Sequence, residues 1–100
     1  FRKVNMKINY QTPRVEIHYC TECRFILRAN WLSQELLMTF SDKIGELALI
    51  PSTGGVFEVI CDGVCIFSRK EVGRFPESKE LKQLVRDKID LEFSLGHSEV

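Results

Sequence analysis

Val15-Glu16-Ile17-His18-Tyr19 alternates apolar and polar side chains. A period of two puts the apolar groups on one face of an extended chain, so this segment predicts a strand. From Phe25 the period changes. Phe25, Ala29, Leu32, Leu36 and Phe40 recur at intervals of three and four, which marks one face of a helix over about Arg24 to Phe40. Leu27, Trp31 and Met38 are read as widening that face, with Trp31 and Phe40 in the core. Thr21 is a candidate helix cap, so the helix is expected to start inside the turn that precedes it. Ser41 to Gly45 connects to a second short strand, Glu46 to Ile50. Strand, helix and strand together predict a βαβ unit with parallel strands and a right-handed crossover.

Pro51 to Gly55 is a turn cluster. Val56 to Cys61 and Val64 to Ser68 flank Asp62-Gly63, a strong signal for a two-residue hairpin. In that register Cys61 opposes Val64 and Ile60 opposes Cys65. Cys61 and Cys65 then point to opposite faces of the sheet. Val56, Ile60, Cys65 and Phe67 are expected together on a half-covered face, interleaved with Glu58 and Arg69. Glu71 to Phe75 reads as a loop, with Pro76 in the first turn of a last helix. Leu81, Leu84, Val85 and Lys88, with Ile89 beside them, supply its inner stripe. Lys79, Lys82 and Arg86 mixed with Glu77, Glu80 and Asp87 read as its solvated side.

The order β-α-β-β-β-α predicts an α/β fold: a thioredoxin-like two-layer sandwich with a mixed four-stranded sheet and two main helices. Residues 13–91 are assigned to this domain, 1–12 to an N-terminal extension and 92–100 to a tail. Met6-Lys7-Ile8 is read as the natural start, which gives residues 1–5 another origin.

Chemistry enters at Cys20-Thr21-Glu22-Cys23. A Cys-x-x-Cys pair between the first strand and first helix of a βαβ unit suits thiol redox chemistry. Free backbone N–H groups at a helix start stabilise a thiolate, which is the nucleophile. Two intervening residues let the second sulfur resolve a mixed disulfide formed by the first. Glu22 opposes thiolate formation, whereas Arg24 and Arg28 offset it. His18 shares the strand face of Cys20 but reads as a half-exposed β residue, and His97 lies in the tail. Thr53-Gly54-Gly55, just before the hairpin, reads either as a substrate groove beside the pair or as a plain tight turn.

A structural zinc site is the rival reading, because Cys20, Cys23, Cys61 and Cys65 space as C-x2-C…C-x3-C. The hairpin register argues against it, and Cys61 and Cys65 read as packing residues. No metal and no cofactor are expected. Fourteen basic and fourteen acidic residues cancel, which argues against nucleic acid as a partner. No apolar run is long enough to span a membrane. Four cysteines without a secretion signal point to a reducing, cytoplasmic setting.

The chain resembles the Rdx family of selenoproteins W, T and H, in particular its bacterial members. The resemblance rests on Val15-Glu16-Ile17-His18-Tyr19-Cys20-Thr21-Glu22-Cys23, on Ala29 to Phe40, on Thr53-Gly54-Gly55-Val56-Phe57-Glu58-Val59 and on Ser68 to Pro76. It implies a thioredoxin-like fold and a thiol–disulfide oxidoreductase or redox-carrier role for Cys20 and Cys23. Thr21, Glu22, Thr53, Gly54 and Gly55 are the substrate-groove candidates. In animal relatives selenocysteine occupies the position of Cys23. Thioredoxin logic makes Cys20 the attacking residue, and family logic makes it Cys23. Glycine stands where thioredoxin-like proteins often carry a cis-proline. The expected partner is a protein or a low-molecular-weight thiol or disulfide, and a homo-oligomer is compatible with the sequence. The alternative is a redox-sensitive protein-binding module without turnover of its own.

Overall fold

The computed structural model describes residues 10–89. The assignments made for residues 1–9 and for Asp90 onward, His97 included, lie outside them. The chain forms β1 (Arg14–Cys20), α1 (Ile26–Thr39), β2 (Glu46–Ser52), β3 (Phe57–Cys61), β4 (Val64–Ser68), α2 (Arg69–Val72) and α3 (Ser78–Ile89). The expected α/β order stands, with α2 added as a third, short helix. Its four residues fall partly where a loop was expected, and a single turn is too short to leave a periodic signal.

The sheet order is β2-β1-β3-β4. β1 pairs parallel with β2 and antiparallel with β3, and β3 pairs antiparallel with β4. Pro51 lies within β2, where its missing N–H is tolerated because β2 is an edge strand. Val15 pairs with Leu47 and Cys61, and Ile17 pairs with Leu49 and Val59. These side chains share the face that meets α1 and α3. Ala29, Leu32 and Leu36 of α1, Phe40 at its C-terminal cap, and Leu81 and Val85 of α3 are fully buried against it. Phe40 is core, as expected.

The inner face of α1 is narrower than its sequence suggested. Leu27 is 75% exposed, Trp31 48% and Met38 69%. The buried stripe of a helix on a sheet covers only about a third of the circumference. These three residues lie outside it and form an apolar stripe facing solvent.

Cys61 opposes Val64 and Ile60 opposes Cys65, as the hairpin register requires. Beyond that pair the register shifts, and Val59 opposes Phe67. A bulge of this kind adds one residue to one strand and turns the following side chains over. Phe67 therefore enters the core instead of sharing the open face with Cys65. Pro76 is buried and stands two residues ahead of α3 instead of within its first turn. Among the described residues no helix is long and apolar enough to cross a membrane.

Candidate active site

Cys20 is the last residue of β1, so the sheet fixes its backbone. Its N–H donates to the Val56 carbonyl at 2.8 Å. The chain then turns through Thr21 to Phe25 before α1 begins. The Arg24 N–H donates to the Thr21 carbonyl at 3.1 Å, and the Phe25 N–H to the Cys20 carbonyl at 3.2 Å. Arg24 closes the turn with φ +59°, a left-handed conformation that non-glycine residues seldom adopt. The helix therefore starts three residues after Cys23, not within the motif. Phe25 caps it without a side-chain bond, and Thr21 Oγ1 donates to the Ser52 carbonyl instead.

The turn brings the sulfurs of Cys20 and Cys23 to 2.8 Å, with the Cys23 thiol donating. Both cysteines are free thiols. Cys20 is 1% exposed, whereas Cys23 is exposed. The hydrogen bond from Cys23 holds the Cys20 thiol below its ordinary pKa. Burial opposes this, and the backbone N–H groups of Gly55, Cys23 and Glu22 reinforce it. The same hydrogen bond pushes the Cys23 thiol up, with burial and the charge of Cys20 adding to it. The Gly55 N–H and the Arg69 guanidinium pull it back down. With one proton bound, the pair shares it between the two sulfurs, and the titration belongs to both.

A thiolate at Cys20 is favoured first by the Cys23 thiol and then by this cradle of N–H groups. Helix α1 begins too late to supply them. Neither Arg24 nor Arg28 figures among the groups that shift the sulfurs, nor does the Glu22 carboxylate. His18 Nε2 lies 2.7 Å from Glu16 Oε1, so the histidine is engaged along the strand and not with Cys20.

Of the groove candidates, Glu22 and Gly55 present backbone N–H groups to Cys20, whereas Thr21 turns its hydroxyl to the Ser52 carbonyl. Gly55 takes φ +76°, which lets its N–H face both sulfurs. Thr53 closes the adjoining turn by accepting the Val56 N–H at 3.4 Å. Gly54 sits in that turn near the Lys70 ammonium and touches neither sulfur.

Sequence reasoning gave Arg69 no role at the site. The structure places it there, at the start of α2. Its guanidinium carbon lies 5.2 Å from the Phe25 ring and 5.1 Å from the Phe75 ring. Nη1 donates to the Gly55 carbonyl at 3.5 Å, and the buried Nε has no partner. Phe25, Phe57 and Phe75 meet edge-to-face at 4.8 to 6.4 Å and anchor this corner to the core. The signal for Arg69 was its place in the Ser68 to Pro76 segment that carried the family resemblance.

Cys61 is buried in the core and its thiol is pushed up by burial. Cys65 is exposed on the open face, so neither joins Cys20 and Cys23.

A strand-end cysteine pair on a two-layer α/β sandwich defines the thioredoxin-like class of Cys-x-x-Cys proteins. Within that class the chain belongs to the Rdx family, whose sequence profile matches residues 14–87. It is similar to a selenoprotein W-related protein from Vibrio cholerae, with 58% identity and a TM-score of 0.75 over 77% of this chain and 96% of that one. A protein from Bordetella parapertussis is 51% identical, with a TM-score of 0.75 over 76% of this chain and 96% of that one. Comparison with curated proteins gave no match.

Proposed function

We propose that the protein is a thiol–disulfide oxidoreductase or redox carrier that cycles Cys20 and Cys23 between dithiol and disulfide. The reading rests on one observation above all. Two free thiols stand 2.8 Å apart at a strand end, one buried in backbone N–H groups and the other open to solvent.

In this reading Cys23, the exposed sulfur, meets the incoming disulfide. The shared proton moves to Cys20, and the Cys23 thiolate attacks one substrate sulfur. A bond forms between Cys23 and that sulfur, and the substrate S–S bond breaks. The leaving thiolate takes the proton from Cys20. The Cys20 thiolate then attacks Cys23, closes the Cys20–Cys23 disulfide and expels the second substrate thiolate. Two electrons pass from the protein to the substrate. A thiol donor running the same steps backwards restores the dithiol. The partners in this reading are a protein or low-molecular-weight disulfide and a reducing thiol. The setting is the reducing cytoplasm, where the reaction serves redox homeostasis.

Mass spectrometry of the protein after one equivalent of disulfide oxidant tests the reading. A Cys20–Cys23 cross-link is expected in the peptide map. Cys20→Ser is expected to accumulate a mixed disulfide on Cys23, because nothing remains to resolve it. Free thiols at both positions after oxidation would sink the proposal.

A further inference from the structure

Three guanidinium groups stand at this corner: Arg69 acts on the exposed Cys23, and Arg24 and Arg28 line the surface that follows it in the chain. None of them pairs with a carboxylate among the described residues, where Arg14, Arg74 and Arg86 all do. Formal charge over the whole chain is zero, so this corner is a local cationic excess. Arg28 lies 4.3 Å over the Phe75 ring, and Arg69 packs between Phe25 and Phe75. Stacking on an aromatic face leaves the N–H edges of a guanidinium free for an incoming carboxylate.

The same corner opens into a cleft of about 460 Å³ lined by Arg24, Phe25, Leu27, Arg28, Trp31 and Phe75. It begins at the residue after Cys23 and runs along the first two turns of α1. Leu27 and Trp31, both exposed, form its apolar wall. An exposed tryptophan and leucine beside unpaired arginines match the make-up of an interface: an aromatic and apolar floor with cations placed to choose a partner.

We propose that this cleft docks the disulfide-bearing substrate of Cys23, a protein segment whose cysteine is flanked by acidic side chains and one apolar or aromatic side chain. Arg24 and Arg28 receive the carboxylates. Leu27, Trp31 and Phe75 cover the apolar side chain. The inference rests on the redox reading of Cys20 and Cys23 and names its substrate class.

The test uses three short peptides that share a central cysteine and one leucine and differ only in acidic, neutral or basic flanks. Each carries its cysteine as the mixed disulfide with thionitrobenzoate, whose release is coloured. Reduced protein is expected to react with the acidic peptide about tenfold faster than with the basic one at low salt, since exposed ion pairs each contribute a few-fold. The ratio is expected to shrink at high salt, where these charges are screened. In the Arg24→Gln/Arg28→Gln variant it is expected to fall to near one, a change that a general loss of reactivity does not produce. Equal rates for the three peptides overturn the docking proposal and leave the redox reading intact.

Failure to react with any peptide overturns the redox reading, and binding then decides the cleft separately. Trp31 is the single tryptophan, so its fluorescence reports the cleft. Titrating the acidic peptide, with serine for its cysteine, into the Cys20→Ser/Cys23→Ser variant is expected to change that fluorescence. No change with the acidic peptide overturns the proposal.

Discussion

Cys20 and Cys23 divide exposure and charge between them: the buried sulfur is the one held low, and the exposed sulfur, 2.8 Å away, is the one pushed up. Each cysteine is therefore the main cause of the other's shift. In Cys20→Ala, Cys23 loses the acceptor and the charge that raise it. Its alkylation rate is expected to rise at lower pH than in the parent protein. In Cys23→Ala, Cys20 loses its strongest donor, and its titration is expected to move upward while its alkylation stays slow because it is buried. Iodoacetamide rates against pH, with peptide mapping of the label, check both directions.

Arg69 acts on the same proton from the other side. Its charge favours the Cys23 thiolate, and its place is fixed by Phe25, Phe75 and the Gly55 carbonyl. Arg69→Met keeps much of the packing and removes the charge. The Cys23 alkylation profile is expected to move to higher pH, with reaction at neutral pH slowed several-fold. Arg69→Lys restores a cation without the planar fork and is expected to recover part of the rate. A structural role alone predicts lower melting temperature in both variants and no movement of the pH profile.

The elements that read well from the chain are those in which a short-range rule and the long-range packing agree. β1 alternates because one of its faces meets α1, and Asp62-Gly63 fixes a hairpin whose register then separates Cys61 from Cys65. The misreadings have physical causes of their own. Phe67 changed faces at a bulge, which shifts the period by one residue without marking the composition. Leu27, Trp31 and Met38 are apolar yet exposed, and nothing in a helical period distinguishes a buried flank from an exposed one. Cys20 and Cys23 were legible from their place between strand and helix. Arg69 reaches them from β4 and α2, far along the chain, and only the folded sheet brings it to Gly55 and Phe25.

Glu35 ties the two long helices together. From α1 it accepts a hydrogen bond from Ser78 Oγ at 2.9 Å and from Lys82 Nζ at 3.2 Å, both on α3. The Ser78 bond, followed by the Lys82 bond and charge, lowers the Glu35 pKa against some burial. The folded state thus holds this carboxylate more firmly ionised than the unfolded chain does. Its contribution to stability is present above the ordinary carboxylate value of about 4.3 and is lost as pH falls through the lower folded value. Glu35→Gln removes the titrating group. Urea midpoints are expected to converge for the parent and variant on acidification, with the parent the more stable at neutral pH. A constant gap across that range rejects the assignment.

Two backbone positions are expected to respond in opposite directions. A Cβ built on Gly45 falls 2.7 Å from the Thr12 carbonyl oxygen and 2.8 Å from two backbone carbons, none of which is the end of a flexible side chain. Gly45 also donates its N–H to the Pro13 carbonyl at 2.9 Å, so the approach is held in place. Gly45→Ala is expected to destabilise by about 1–3 kcal/mol, as overpacking does elsewhere. Arg24 presents the reverse case. Its φ of +59° costs a side-chain-bearing residue roughly 1–2 kcal/mol, and glycine is freed of that strain while losing about 0.5–1 kcal/mol to unfolded-state entropy. Arg24→Gly is expected to raise the melting temperature by about 2–5 °C, the shift that a fraction of a kcal/mol to 1 kcal/mol gives a domain of this size. The same variant removes one cation from the cleft beside Cys23 and is expected to react less selectively with acidic disulfide peptides. Calorimetry and the peptide rates, measured on one preparation, read both effects. A variant that is more stable and equally selective would show that Arg24 is strained for a reason other than the substrate.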